Sequence, residues 1–192
     1  VDLTTATRHK TFADIAGSGE DTLLGYLITA ISAQVEDYLD RYAESTSRTV
    51  YLDVDEGQRF FVLRGYPVSS VTSVYNDSEW GFGASTLVAS TEYTVLGPDG
   101  FLRFPYYELV AGPGALKVTY VGGMAANTAA FYAAFPAVEL AVWAQVSYLF
   151  DKRKFLADTS ASVAGSSVGF QVPELLPEVV GMLKPYRRST IL

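Results

Sequence analysis

Between residues 21 and 42 the apolar side chains Leu24, Leu27, Ile28, Ile31, Val35, Tyr38, Leu39 and Tyr42 recur at spacings of three and four. That period lays them along one stripe and predicts an amphipathic helix. Gly17-Ser18-Gly19 separates this helix from a short N-terminal segment around Phe12-Ala13-Asp14-Ile15. Glu20 and Asp21 stand where negative charge favours a helix N-terminus. Leu27, Ile31, Val35 and Tyr38 are expected to face a second helix opened by Pro136.

From about Thr49 to Val121 the period changes to two. Seven short runs rich in β-branched and aromatic residues follow one another: 49–53, 59–63, 68–75, 86–88, 93–95, 101–104 and 116–121. Turn residues punctuate them at Asp55-Glu56-Gly57, Gly65-Tyr66-Pro67, Asn76-Asp77, Gly97-Pro98-Asp99-Gly100 and Gly112-Pro113-Gly114. Seven strands at this spacing predict a small antiparallel sandwich or barrel.

After Gly122-Gly123 the helical period returns. Pro136 is placed to open a helix running from Ala137 to about Lys154. Val138, Leu140, Ala141, Val142, Trp143, Val146, Tyr148, Leu149 and Phe150 leave it almost no polar face, so it is expected at the centre of a bundle or between subunits. Residues 157–169 are small and polar and read as a mobile loop. A last short helix follows Pro177 and stops at Pro185. The predicted fold class is therefore α+β: a helical bundle frame, residues 1–46 and 124–192, carrying a small antiparallel β-sandwich or barrel inserted at 47–123, all within one domain.

Charge and composition narrow the function. The 192 residues include 14 Lys and Arg against 21 Asp and Glu, a net charge of −7. A surface so biased repels nucleic-acid phosphates and disfavours a protein that grips DNA, though it suits a channel through which DNA slides. Only 18% of residues are charged while 49% are hydrophobic, so part of the apolar surface is expected to be covered by other subunits. The absence of cysteine excludes disulfides, thiolate nucleophiles and cysteine-based metal sites. No apolar run approaches the length of a membrane span and no signal peptide is evident, which gives the expectation of a soluble, intracellular chain without a membrane role.

Catalytic constellations are missing. The one histidine, His9, stands between Arg8 and Lys10 and reads as solvent-exposed, with no serine elbow to serve. Asp53, Asp55 and Glu56 lack the further ligands of a calcium loop and read as a charged hairpin turn. Trp80-Gly81-Phe82-Gly83-Ala84 has no lysine or helix pattern after it, so it reads as a hairpin tip displaying aromatics rather than a phosphate loop. No catalytic, cofactor or metal site is expected, and the chain is read as not an enzyme.

The order and spacing of several segments resemble one family across almost the whole chain, the head–tail connector proteins of long-tailed phages, also called adaptor or head-completion proteins. The resemblance rests on the helix segment Ile31 to Leu39, on Gly65-Tyr66-Pro67-Val68 through Tyr75, and on Glu92-Tyr93-Thr94-Val95 leading to Gly100-Phe101-Leu102. It continues in Leu116 to Gly123, in the Pro136 helix ending Tyr148 to Arg153, and in Leu183-Lys184-Pro185-Tyr186-Arg187-Arg188. It implies a structural virion protein at the head–tail interface, forming a homo-oligomeric ring of twelvefold symmetry. Such a ring binds the portal protein on one side and a tail-side stopper or tail terminator on the other, and DNA passes through it without specific binding. No cofactor is implied. Gene-transfer particles, built like phages, use similar connectors.

Two surfaces are singled out. Lys184, Tyr186, Arg187, Arg188, Ile191 and Leu192 form a basic C-terminal stretch with two apolar residues on an acidic chain; it reads either as a solvated helix end or as an arm that docks on the portal. Trp80, Phe82, Tyr106 and Tyr107 are candidate contacts to a neighbouring subunit or the tail side. The same four aromatics support an alternative, a carbohydrate-binding β module of a virion or cell-surface assembly, which leaves the helices without a role. A hydrolase working through Asp53 and Asp55 is weaker still, because no cleft partner accompanies them.

Overall fold

The structure, a computed structural model, describes residues 1–153 and 175–188. The expected loop at 157–169 lies outside them. The chain forms two compact units, Val1–Asp40 with Thr128–Leu192, and Arg41–Asn127. The first carries helices and the second the strands, a mixed α+β chain.

In the helical unit, α1 (Ala6–Ala13) starts at Thr5, whose hydroxyl accepts the Arg8 amide at 3.3 Å. It ends at Asp14 in the left-handed region. Lys10 then bonds both the Gly17 carbonyl and, at 2.6 Å, Asp21 at the start of α2 (Asp21–Leu39). The buried stripe of α2 is Leu24, Ile28, Ile31, Ser32, Val35 and Leu39. Leu27 and Tyr38 are half-buried at its margins. Opposite it runs α4 (Pro136–Lys152), with Pro136 in the first turn. No residue of α4 between Ala141 and Phe150 is exposed, because α1, α2, α3 (Thr128–Ala134) and α5 (Pro177–Leu183) all pack against it. The alanine-rich α3 is an addition to the sequence reading. It meets α4 at a bend of 106°. No single described helix is long and apolar enough to cross a membrane.

The β unit contains two antiparallel three-stranded sheets among its described residues. One has the order β1 (Thr46–Val54), β6 (Gly112–Gly122), β3 (Val68–Asn76). The other has the order β2 (Phe60–Val62), β5 (Phe101–Arg103), β4 (Thr94–Leu96). One buried cluster draws on both, with Val54, Val74, Leu116, Val118 and Tyr120 from the first sheet and Phe61 and Leu102 from the second. The chain enters and leaves this unit side by side, since Ala43 and Tyr42 accept the amides of Ala125 and Met124 at 2.9 Å.

Two sequence expectations change here. Residues 86–88 do not form a strand: the Thr86 amide and hydroxyl both turn back onto the Gly83 carbonyl, at 3.1 and 3.0 Å, which curls Ala84–Thr86 into a 3-10 turn. Only a single bridge, Tyr75 to Leu87, survives of the pairing. Gly112-Pro113-Gly114 is not a turn but the irregular start of β6, where Leu52 and Val54 oppose Leu116 and Gly112. The extra residues bulge, and Gly114 takes φ +60° there.

Candidate docking surfaces

Glu139 is 2% exposed in α4, and a carboxylate buried to that degree needs partners. Arg8 supplies two, its Nε and Nη2 each donating at 2.7 Å to the two carboxylate oxygens. Thr4 donates a third at 2.7 Å and itself accepts from Trp143 Nε1 at 2.8 Å. The carboxylate raises the Arg8 pKa above its ordinary value. The guanidinium also lies 3.9 Å from the centroid of the Tyr132 ring. The next residue, His9, sits against Ser147, Nε2 to Oγ 3.1 Å.

His9 is therefore not solvent-exposed, as its flanking charges suggested, but fully buried. Neighbours on a helix point some 100° away from one another, so Arg8 and Lys10 say nothing about the side on which His9 lies. Burial lowers its pKa. The network fastens the N-terminal segment to the central helix. Sequence reasoning missed it, although Glu139 is the single charged residue between Pro136 and Phe150 and required a cation from elsewhere.

The C-terminal stretch is fastened as far as it is described. Lys184–Tyr186 forms a 3-10 turn directly after α5. Tyr186 packs edge-to-face on Phe135 at 6.1 Å, Arg187 stands over the Tyr38 ring at 5.2 Å, and the Arg188 amide donates to the Leu39 carbonyl at 3.1 Å. Lys184 and Arg187 face solvent, and Ile191 and Leu192 lie outside the described residues. Beside this stretch, Gln34, Asp37, Tyr38, Leu175 and Val180 line an open groove of about 650 Å³ between α2 and α5.

In the β unit, Trp80 and Phe82 belong to the tip after β3, whereas Tyr106 and Tyr107 belong to the loop between β5 and β6. The tip is built, not slack. Asp77 accepts the amides of Glu79 and Phe82 at 2.9 and 2.8 Å, and Trp80 Nε1 donates to the Pro113 carbonyl at 3.0 Å. These bonds hold Trp80 and Phe82 at φ +61° and +44°, a conformation that costs about 1 kcal/mol or more for a bulky residue. Phe82 leans on the Tyr51 ring at 5.6 Å, and Lys117 Nζ lies 5.2 Å from its centroid. Tyr106 projects freely, while Tyr107 turns inward to Phe104.

Asp53 and Asp55 do not converge on a cleft. Asp53 accepts the Gly114 amide at 2.7 Å, and the backbone of Asp55 closes a turn with Gln58. Among the described residues no three acidic or histidine side chains gather to hold a metal.

Known structures share this fold at low sequence identity. A chain in the neck of an empty gene transfer agent particle, determined with C6 symmetry, superposes with a TM-score of 0.63 at 17% identity, over 97% of this chain and 90% of the other. A chain in the virion of the native particle gives 0.61 at 19% identity, over 94% and 84%. A chain in the native neck determined with C12 symmetry gives 0.58 at 16%, over 90% and 85%. No curated protein sequence matches. Residues 2–189 match the family model described as head completion protein, and with that match over nearly its whole length the chain belongs to the head completion protein family.

Proposed function

We propose that this chain is a structural ring subunit of the neck of a phage-like particle, seated between the portal and the tail, where it extends the DNA channel and presents the surface to which the tail-side ring attaches. The observation that carries the reading is the family match over residues 2–189, supported by likeness to chains in gene transfer agent necks that were determined with C6 and C12 symmetry. Twelve copies matching the portal fit those symmetries. In this reading the helical unit is the bundle frame, and the two sheets of the β unit form an inserted sandwich around their shared core. The net charge of −7, repeated in every copy, suits a lumen that lets DNA pass without holding it.

The partners are the portal protein on one side and a stopper or tail terminator on the other. The C-terminal stretch from Lys184 is the proposed portal contact, and Trp80, Phe82 and Tyr106 the proposed contacts to neighbours or the tail side. A held, strained aromatic tip costs stability, and presenting two rings in a fixed pose to another surface is what would offset that cost. Negative-stain images of the purified protein mixed with its portal test the proposal. An added ring layer of matching symmetry on the portal is expected. Portals that stay bare at saturating protein would remove the portal-side placement.

A further inference from the structure

The outer face of the β2–β5–β4 sheet is not adapted to water. Cross-strand register puts Val62, Phe101 and Leu96 in one outward row and Phe60, Arg103 and Thr94 in the next, while Phe61 and Leu102 point into the core. Phe60, Val62 and Leu96 are 53%, 47% and 45% exposed. Antiparallel sheets with one solvated face ordinarily alternate apolar inside with polar outside, and the other sheet of the same unit does so. Its outward positions include Ser47, Thr49, Ser73, Lys117 and Thr119, with the Thr49 and Thr119 hydroxyls 3.0 Å apart. The first sheet therefore meets water largely with hydroxyls and Lys117, beside the Tyr51 ring that Phe82 packs against, whereas the second offers a contiguous apolar patch with a single guanidinium, that of Arg103, 5.1 Å from the centroid of the Phe60 ring.

The groove between α2 and α5 is the matching feature. Tyr38, Leu175 and Val180 line it with apolar surface, Gln34 stands at its edge, and Asp37 places a carboxylate on its rim. We propose that the β2–β5–β4 face of one copy of this chain docks in the α2–α5 groove of the next copy, with Phe60 and Val62 entering the groove and Arg103 meeting Asp37. This rests on the ring reading above. A closed ring requires a heterologous contact, in which a patch on one subunit meets a different patch on its neighbour. Among the described residues, this face and this groove offer such a pair, apolar against apolar and cation against anion, on otherwise acidic copies that repel each other.

The absence of cysteine makes the test clean. Gln34→Cys and Val62→Cys are introduced singly and together into the full chain, which is then concentrated and mildly oxidised. A single-cysteine variant can link no more than two copies. The double variant, if copies dock head to tail, propagates, and a ladder extending past the dimer is expected on a non-reducing gel. Arg103→Glu should suppress that ladder, and adding Asp37→Arg should restore it. No species beyond the dimer, or a ladder indifferent to Arg103→Glu, overturns the docking. The oxidation is repeated on the chain mixed with its portal, which separates the two readings: a ring layer on the portal without a ladder removes this contact and leaves the ring, whereas bare portals and no ladder remove both.

Discussion

Glu139, Ser32 and Gln145 are polar residues inside the helical unit, and each fastens a segment that has little apolar periodicity of its own. Glu139 holds Arg8 and Thr4, Ser32 Oγ accepts the Leu3 amide at 3.0 Å, and Gln145 Oε1 accepts the Leu176 amide at 3.0 Å, ahead of α5. His9 belongs to the same class but titrates. Burial lowers its pKa from the ordinary value of about 6.5, so over the interval below that value the unfolded chain takes up a proton that the folded chain refuses. The stability contributed by neutral His9 is whole above the ordinary value and is lost as pH falls through the folded one. Melting curves compared between about pH 7.5 and about pH 5 should show a larger loss for the wild type than for His9→Gln, whose side chain carries no proton to exchange. An equal loss in both would mean that His9 is not held neutral. Glycines impose another residue-scale requirement: a Cβ on Gly122 would lie 1.9 Å from the Gly65 carbonyl oxygen, so the close approach of these two segments, both quoted for the family resemblance, requires glycine at 122.

At the scale of elements, a regular period was legible and local hydrogen bonding was not. The stripe of α2 and the Pro136 start of α4 stand as their spacing predicts, because a helix between packed neighbours must repeat its apolar residues every three or four positions. Residues 86–88 read as a strand from Leu87 and Val88, yet the Gly83 carbonyl captured the Thr86 amide first. The α3 helix, TAAFYAA, has too few large apolar residues to show a period and is anchored through Phe131 alone among its buried side chains. The aromatic tip was visible as composition, but Asp77, which fixes its shape, read only as a turn residue. Ile31 is fully buried on α2, and Ile31→Asp would leave an unpaired charge there at a cost of more than about 4 kcal/mol. Leu39→Ala, a cavity of ordinary size, should cost about 2–5 kcal/mol. Urea unfolding of the two variants should therefore find Leu39→Ala folded with a lower midpoint and Ile31→Asp insoluble or unfolded; a soluble, fully folded Ile31→Asp would show that the stripe is not core.

For the whole molecule, the C-terminal stretch decides whether stability and attachment can be separated. A loose basic arm beginning at Lys184 would be removable without thermal consequence. The described contacts run through Arg188. Tyr186 rests on Phe135, Arg187 on Tyr38, and Arg188 ties back to Leu39, so these residues belong to the folded helical unit, in which α4 already carries α2, α3 and α5. Two deletions then have different outcomes. Removing 186–192 strips an aromatic pair, a cation–π contact and a backbone hydrogen bond, contributions of roughly 0.5–1.5 kcal/mol each, and should lower the melting temperature by several degrees. Removing 189–192 leaves every one of those contacts in place and should lower the melting temperature by less. If the arm carries the portal contact through Ile191 and Leu192, the shorter deletion should nonetheless abolish co-sedimentation with portal-bearing heads and yield filled heads without tails. Normal attachment by the 189–192 deletion, combined with lost attachment only in the destabilised 186–192 deletion, would assign the portal contact to the folded surface around Lys184 and Arg187 and take it away from the last four residues.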